Sequence, residues 1–132
     1  MPKITQLTIA AESKPGVLAK IADTLAGAGI NITALCAGEA AGRGKIRLVV
    51  SDAARAKRAL AAAKIRSSEE AALALALDDR PGALAEVTSR LAAARMNVKC
   101  AYATTAGGGS AQVVLVVADP NKAAKLLAAS KS

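Results

Sequence analysis

The feature that most constrains this chain is that it carries one pattern twice. Residues 13–32, SKPGVLAKIADTLAGAGINI, match residues 79–98, DRPGALAEVTSRLAAARMNV, at an offset of 66 residues without a gap. Pro15 meets Pro81, Gly16 meets Gly82, Leu18 meets Leu84, Leu25 meets Leu91 and Asn31 meets Asn97. After one inserted residue the match resumes, VVSDAARAKRAL (49–60) against VVADPNKAAKLL (116–127). A tandem duplication of this kind requires both copies to adopt one architecture. Copy boundaries at 1–69 and 70–132 follow from it.

Within the first copy, residues 4–10 are mostly apolar and partly β-branched, which predicts a strand. Pro15 stands where a helix starts, since its fixed φ and missing N–H suit a first turn. Val17, Leu18, Ile21, Ala22, Leu25 and Ala28 recur at helical spacing and are expected to form one buried face. Gly27 and Gly29 end that helix. Residues 30–37 read as a strand, 38–44 as a turn and 45–50 as a second strand. Asp52 then caps a helix over 53–63. A short strand near Ile65 closes the unit. The second copy repeats this at about 71–78, 81–95, 96–105, 110–118 and 119–130, with Asp119-Pro120 as a helix start. The order strand, helix, strand, strand, helix, strand is the ferredoxin-like, split βαβ arrangement, an α+β fold with an antiparallel sheet and its helices on one face. The second copy lacks a clear last strand, because the counterpart of Ile65 falls near residue 132, where the sequence stops. That gap predicts a neighbour along the sheet edge.

Composition removes whole classes of chemistry. The chain of 132 residues contains no His, Trp or Phe, two Cys and one Tyr. Without histidine there is no Ser-His-Asp triad and no His metal ligand, and two cysteines cannot complete a structural zinc site. No apolar run approaches the ~18 residues that span a bilayer, and the alternating N-terminus does not read as a signal peptide. The expectation is a cytoplasmic protein that is not an enzyme, with no metal and no cofactor. Cys36 and Cys100, in strands among small apolar residues, are expected to be buried, inert thiols. The GRGK stretch around Arg43 lacks the spacing of a phosphate loop and reads as a turn, as does Gly107-Gly108-Gly109.

The segments ESKPGVL followed by GINI, and DDRPGAL followed by MNV, resemble the ACT domain, a family of small regulatory modules that bind amino acids. Two such copies cover the whole chain, as in short stand-alone tandem ACT proteins. The resemblance implies domains paired side by side, with the ligand near the interface against the first strand–helix loop, here residues 11–18 and 77–84. It places ligand contacts on Ser13, Pro15, Gly16, Val17, Leu18 and Asn31, and on Asp79, Pro81, Gly82, Ala83, Leu84 and Asn97. Asp79 matches the Asp or Asn usual in the family; Ser13 departs from it. The expected assembly is a homodimer that binds an amino acid or a related metabolite and serves a regulated enzyme or an acidic partner protein.

The chemistry of these residues suits such a ligand. A glycine lets a ligand approach the main chain. The N–H groups and dipole of a helix's first turn favour an α-carboxylate. Asp79 can accept a charge-assisted hydrogen bond from an α-ammonium, and Asn31 or Asn97 offers both a donor and an acceptor. Each residue also has a plain structural reading. The glycines suit tight turns, Asp79 can cap a helix, and Asn31 and Asn97 tolerate left-handed φ between helix and strand. On that reading the protein is a structural or partner-binding subunit with degenerate sites.

Charge raises a third alternative, nucleic acid. Residues 1–66 hold 11 Lys and Arg against 4 Asp and Glu, and residues 67–132 hold 7 against 6. The excess lies in Arg43, Lys45, Arg47, Arg55, Lys57, Arg58, Lys64 and Arg66. RNA-binding modules of the same arrangement stack bases on aromatic side chains, and Tyr102 alone cannot supply such a platform. A solvated basic face is the default reading.

Overall fold

The computed structural model describes residues 3–105 and 107–129. In chain order the elements are β1 (Lys3–Glu12), α1 (Val17–Gly27), β2 (Ile32–Ala40), β3 (Arg43–Val50), α2 (Ala53–Ala62), β4 (Ser68–Asp78), α3 (Ala83–Ala93), β5 (Val98–Thr105), β6 (Ser110–Val117) and α4 (Pro120–Ala129). Two compact units emerge. One is Thr5–Glu70; the other is the chain from Ala71 onward together with Lys3 and Ile4.

In the first unit β3 lies antiparallel between β2 and β1. Period-two alternation in β1 sends Leu7 and Ile9 to one side and Gln6 and Thr8 to the other. Leu7, Ile9, Ile46 and Leu48 meet Ile21 and Leu25 of α1 and Ala56 and Leu60 of α2, so both helices cover the same face. Each fully buried Leu or Ile adds roughly 1.5–3 kcal/mol. On the opposite face the fully buried Gln6 donates to Glu70 Oε1 at 2.9 Å. The second unit repeats the plan, with β6 antiparallel between β4 and β5. Its core joins Leu73, Leu75, Val113 and Leu115 to Val87 and Leu91 of α3 and Leu127 of α4.

Several expectations change. No strand forms near Ile65. Lys64 takes a left-handed φ of 63°, and the N–H groups of Lys64 and Ile65 close back onto Ala61 O and Leu60 O. This is a Schellman ending, in which the apolar residue after the turn folds onto the core, as Ile65 does. The closing strand of the first unit is instead the start of β4, where Ser68 Oγ and Thr8 Oγ1 lie 2.7 Å apart. The equivalent place in the second unit falls to Lys3 and Ile4 of β1, and Lys3 Nζ donates to Asn121 Oδ1 at 2.9 Å. The counterpart of Ile65 itself lies outside the described residues. The missing strand therefore no longer argues for a second chain.

Smaller corrections follow the same logic. Pro15 and Pro81 precede their helices by two residues, because Gly16 and Gly82 are the N-caps. Leu18 is 41% exposed and leaves the buried stripe of α1. The expected turn over 38–44 contracts to Ala41 and Gly42, both with positive φ, as a two-residue hairpin requires. Left-handed φ belongs to Gly29 and Arg95, not to Asn31 and Asn97. Cys36 and Cys100 form no disulfide and are half-buried rather than fully buried. The caps are as read: Asp52 Oδ1 accepts from the Arg55 N–H and Asp119 Oδ1 from the Lys122 N–H, each at 3.1 Å. No helix among the described residues is long and apolar enough to cross a membrane.

Candidate functional site

The strand–helix loop is built almost identically in both copies. Gly16 (φ 89°, ψ −10°) and Gly82 (φ 89°, ψ −14°) hold the left-handed turn that launches α1 and α3, and no side chain caps either helix. A Cβ on Gly16 would meet no atom within 4 Å. The glycine is thus demanded by its φ, not by crowding. The first-turn N–H groups have no side-chain acceptor, although Val17 N–H reaches Lys14 O at 3.4 Å and Ala83 N–H reaches Arg80 O at 3.3 Å, and Leu18 and Leu84 stand exposed in these turns. Val17 is half-buried, and Ala83 is buried at the equivalent position.

Beside each turn stands a carboxylate, though on different elements in the two copies. Ser13 donates its N–H to Gly42 O at 3.0 Å and its hydroxyl to Glu39 Oε2 at 2.7 Å. Asp79 donates its N–H to Gly109 O at 3.0 Å, and its Oδ2 accepts from Thr105 Oγ1 at 2.9 Å. Glu39 and Thr105 are themselves equivalent under the 66-residue offset. Hydroxyl and carboxylate have exchanged places between the loop and the facing strand, and each loop retains one carboxylate–hydroxyl pair. Ser13 is therefore not a loss of charge at the first loop. Glu39 and Thr105 were missed in the sequence because the exchange shows only once the end of β2 is registered against the loop.

Asn31 and Asn97 stand elsewhere. The Asn31 backbone pairs with Ser51, its carbonyl accepting at 2.9 Å and its N–H donating to Ser51 Oγ at 3.0 Å. β2 runs parallel to β1, since both are antiparallel to β3. Ser13 and Asn31 consequently occupy opposite ends of the sheet, about eight strand residues or roughly 26 Å apart. Asn97, whose carbonyl accepts from the Ala118 N–H at 3.2 Å, has the same relation to Asp79. A small ligand cannot touch both members of a pair within one copy.

The charge around the two loops differs. Arg80 reaches Glu86 Oε2 at 3.1 Å and Asp78 Oδ2 at 3.4 Å. The hydrogen bond and attraction to Glu86, then the contact with Asp78, hold its guanidinium above the ordinary arginine value, so it stays cationic. In the first copy the residue matching Glu86 is Lys20. Part of the basic excess is used internally. Arg55 Nη2 donates to Ala28 O at the end of α1, at 2.6 Å, and Arg47 lies 3.8 Å from Glu70. Among the described residues no group of three His, Cys, Asp or Glu could hold a metal ion.

The sequence signature of the ACT domain pair matches residues 2–131. Among crystal structures, the chain is similar to protein BT0572 from Bacteroides thetaiotaomicron, at 30% identity and a TM-score of 0.92, covering 98% of this chain and 89% of that one. It is also similar to the ligand-free regulatory subunit of aspartate kinase from Thermus thermophilus, at 18% identity and a TM-score of 0.69, covering 100% and 99%. The aspartate kinase regulatory subunit from Thermus flavus gives 19% identity and a TM-score of 0.66 over 92% and 86%. The latter two likenesses concern the fold. No curated protein matches the chain.

Proposed function

Because the chain belongs to the ACT domain pair family over nearly its whole length, we propose that it is an amino-acid-sensing regulatory protein with one ligand loop in each copy, 1–69 and 70–132. The observation that carries this reading is the repeated loop. In both copies an uncapped helix start follows a loop joined to the facing strand by one carboxylate–hydroxyl hydrogen bond, Glu39 with Ser13 or Asp79 with Thr105. The first-turn amides and the helix dipole receive the α-carboxylate of the ligand. Glu39 or Asp79 receives its α-ammonium through charge-assisted hydrogen bonds. Asn31 and Asn97, remote from the loop of their own copy, reach such a ligand from a neighbouring chain, consistent with a ligand near the interface as the family resemblance implies. Side-by-side pairing in a homodimer supplies that neighbour. The named role of the two Thermus relatives supports a regulatory task here, exerted on a partner enzyme.

A thermal-shift screen over the common amino acids tests this reading. A ligand at 100 times its dissociation constant adds about 2.7 kcal/mol of stability. One amino acid or a small set should raise the melting temperature clearly. No shift with any of them favours a partner-binding subunit with degenerate sites.

A further inference from the structure

We propose a second ligand site in the first unit, a cleft between α1 and the α2–β4 connection that takes a small organic anion carrying an apolar body. It borders the first amino-acid loop, sharing Glu12, Lys14 and Val17 with it, but does not use Glu39, Asp79 or either asparagine. The cleft has a volume of about 430 Å³, within the range that holds small ligands. Its apolar wall is formed by Ile9, Val17, Ile21 and Ile65. Its polar rim carries Lys14, Lys20, Lys64 and Arg66 against one carboxylate, Glu12.

Three observations give this rim meaning. First, the cations are scarcely neutralised. Lys14 lies 3.8 Å from Glu12, and among the described residues the side chains of Lys20, Lys64 and Arg66 have no ion-pair or hydrogen-bond partner. Cations gathered on one opening repel one another, and an anion seated among them removes that repulsion. Second, the connection is fixed rather than loose. The Schellman turn folds Ile65 onto the core, and this holds Lys64 and Arg66 at the mouth of the cleft. Third, the fold does not demand the charge. In the second copy the position of Lys20 is Glu86, and it binds Arg80 at 3.1 Å. The same helix position thus carries an ion-paired anion there and a cation without a side-chain partner here. An apolar wall under a cationic rim selects against a bare inorganic ion, which would leave the wall unused.

Phenyl phosphate is a suitable probe for calorimetric titration of the full chain, with inorganic phosphate and phenol as its separate halves. Phenyl phosphate should bind one site per chain, at least about tenfold more tightly than either half. Lys20→Glu, on the exposed side of α1 and copying Glu86, should weaken it at least about tenfold, while Lys57→Glu, outside the cleft, should change it less than about twofold. Melting curves of the two variants check that both fold. Asp79→Asn and Glu39→Gln should leave this binding unchanged, which separates its failure from failure of the amino-acid reading. Equal losses in Lys20→Glu and Lys57→Glu would mean general charge attraction and overturn the site. So would equal affinity for phenyl phosphate and inorganic phosphate. A single-stranded oligonucleotide that binds more tightly, and is lost in Lys20→Glu, would assign the rim to nucleic acid instead.

Discussion

Glu39 lies on β2 and Asp79 in the loop after β4, and each bonds the hydroxyl facing it, so neither copy lacks the carboxylate. Removing charge while keeping shape tests each separately. Asp79→Asn and Glu39→Gln should each weaken amino-acid binding at one loop about tenfold, or 1.4 kcal/mol, by calorimetric titration. Ser13→Ala should do less, because the Glu39 carboxylate survives it. Gly16 and Gly82 make a different claim. At φ 89° an L-residue is strained, so Gly16→Ala should cost about 1–2 kcal/mol in urea unfolding. A cost near zero would show that the turn relaxes freely. At this scale the sequence is legible wherever the chemistry is local. Asp52 and Asp119 announce caps because the N–H groups they serve lie three residues on. Glu39 is 26 residues from Ser13 along the chain and adjacent only after the hairpin closes, so no local pattern reveals it.

The elements show why the strand count was harder to read than the repeat. Duplicated Pro-Gly and helical periodicity identify four helices, because each signal lies within one turn. The strand near Ile65 fails because an isolated apolar residue after a helix is ambiguous: it suits a short strand, and equally the hydrophobic contact of a Schellman ending. Three helices end this way, on Ile30, Ile65 and Met96, after left-handed Gly29, Lys64 and Arg95. Glycine holds that conformation without strain in only one of the three. Arg95→Gly should therefore stabilise the protein by about 0.5–1 kcal/mol, seen as a higher urea midpoint with an unchanged slope. A lower midpoint would mean that the Arg95 side chain contributes more than the strain removes. The residue pattern divides β4 in two because its start serves the first unit and the rest serves the second, a division that only strand pairing defines.

For the molecule as a whole, the tandem repeat fixes two copies of one plan, and the plan sets the Pro-Gly loop and the asparagine of each copy far apart. A ligand that uses both requires copies side by side. Leu18, Leu35 and Leu84 are each more than 40% exposed, and such apolar surface suits a contact between chains. Light scattering at micromolar concentration should give twice the mass of one chain; a monomer mass would remove the neighbour from which Asn31 or Asn97 reaches the ligand. The most direct measurement compares the wild type with the Glu39→Gln, Asp79→Asn double variant by calorimetric titration, using the amino acid that gives the largest thermal shift. The wild type should bind it, and the double variant should bind about tenfold more weakly at both loops, each having lost its charge-assisted contact, with its ligand-free melting temperature unchanged. Full binding by the double variant, or none by the wild type, would contradict the account.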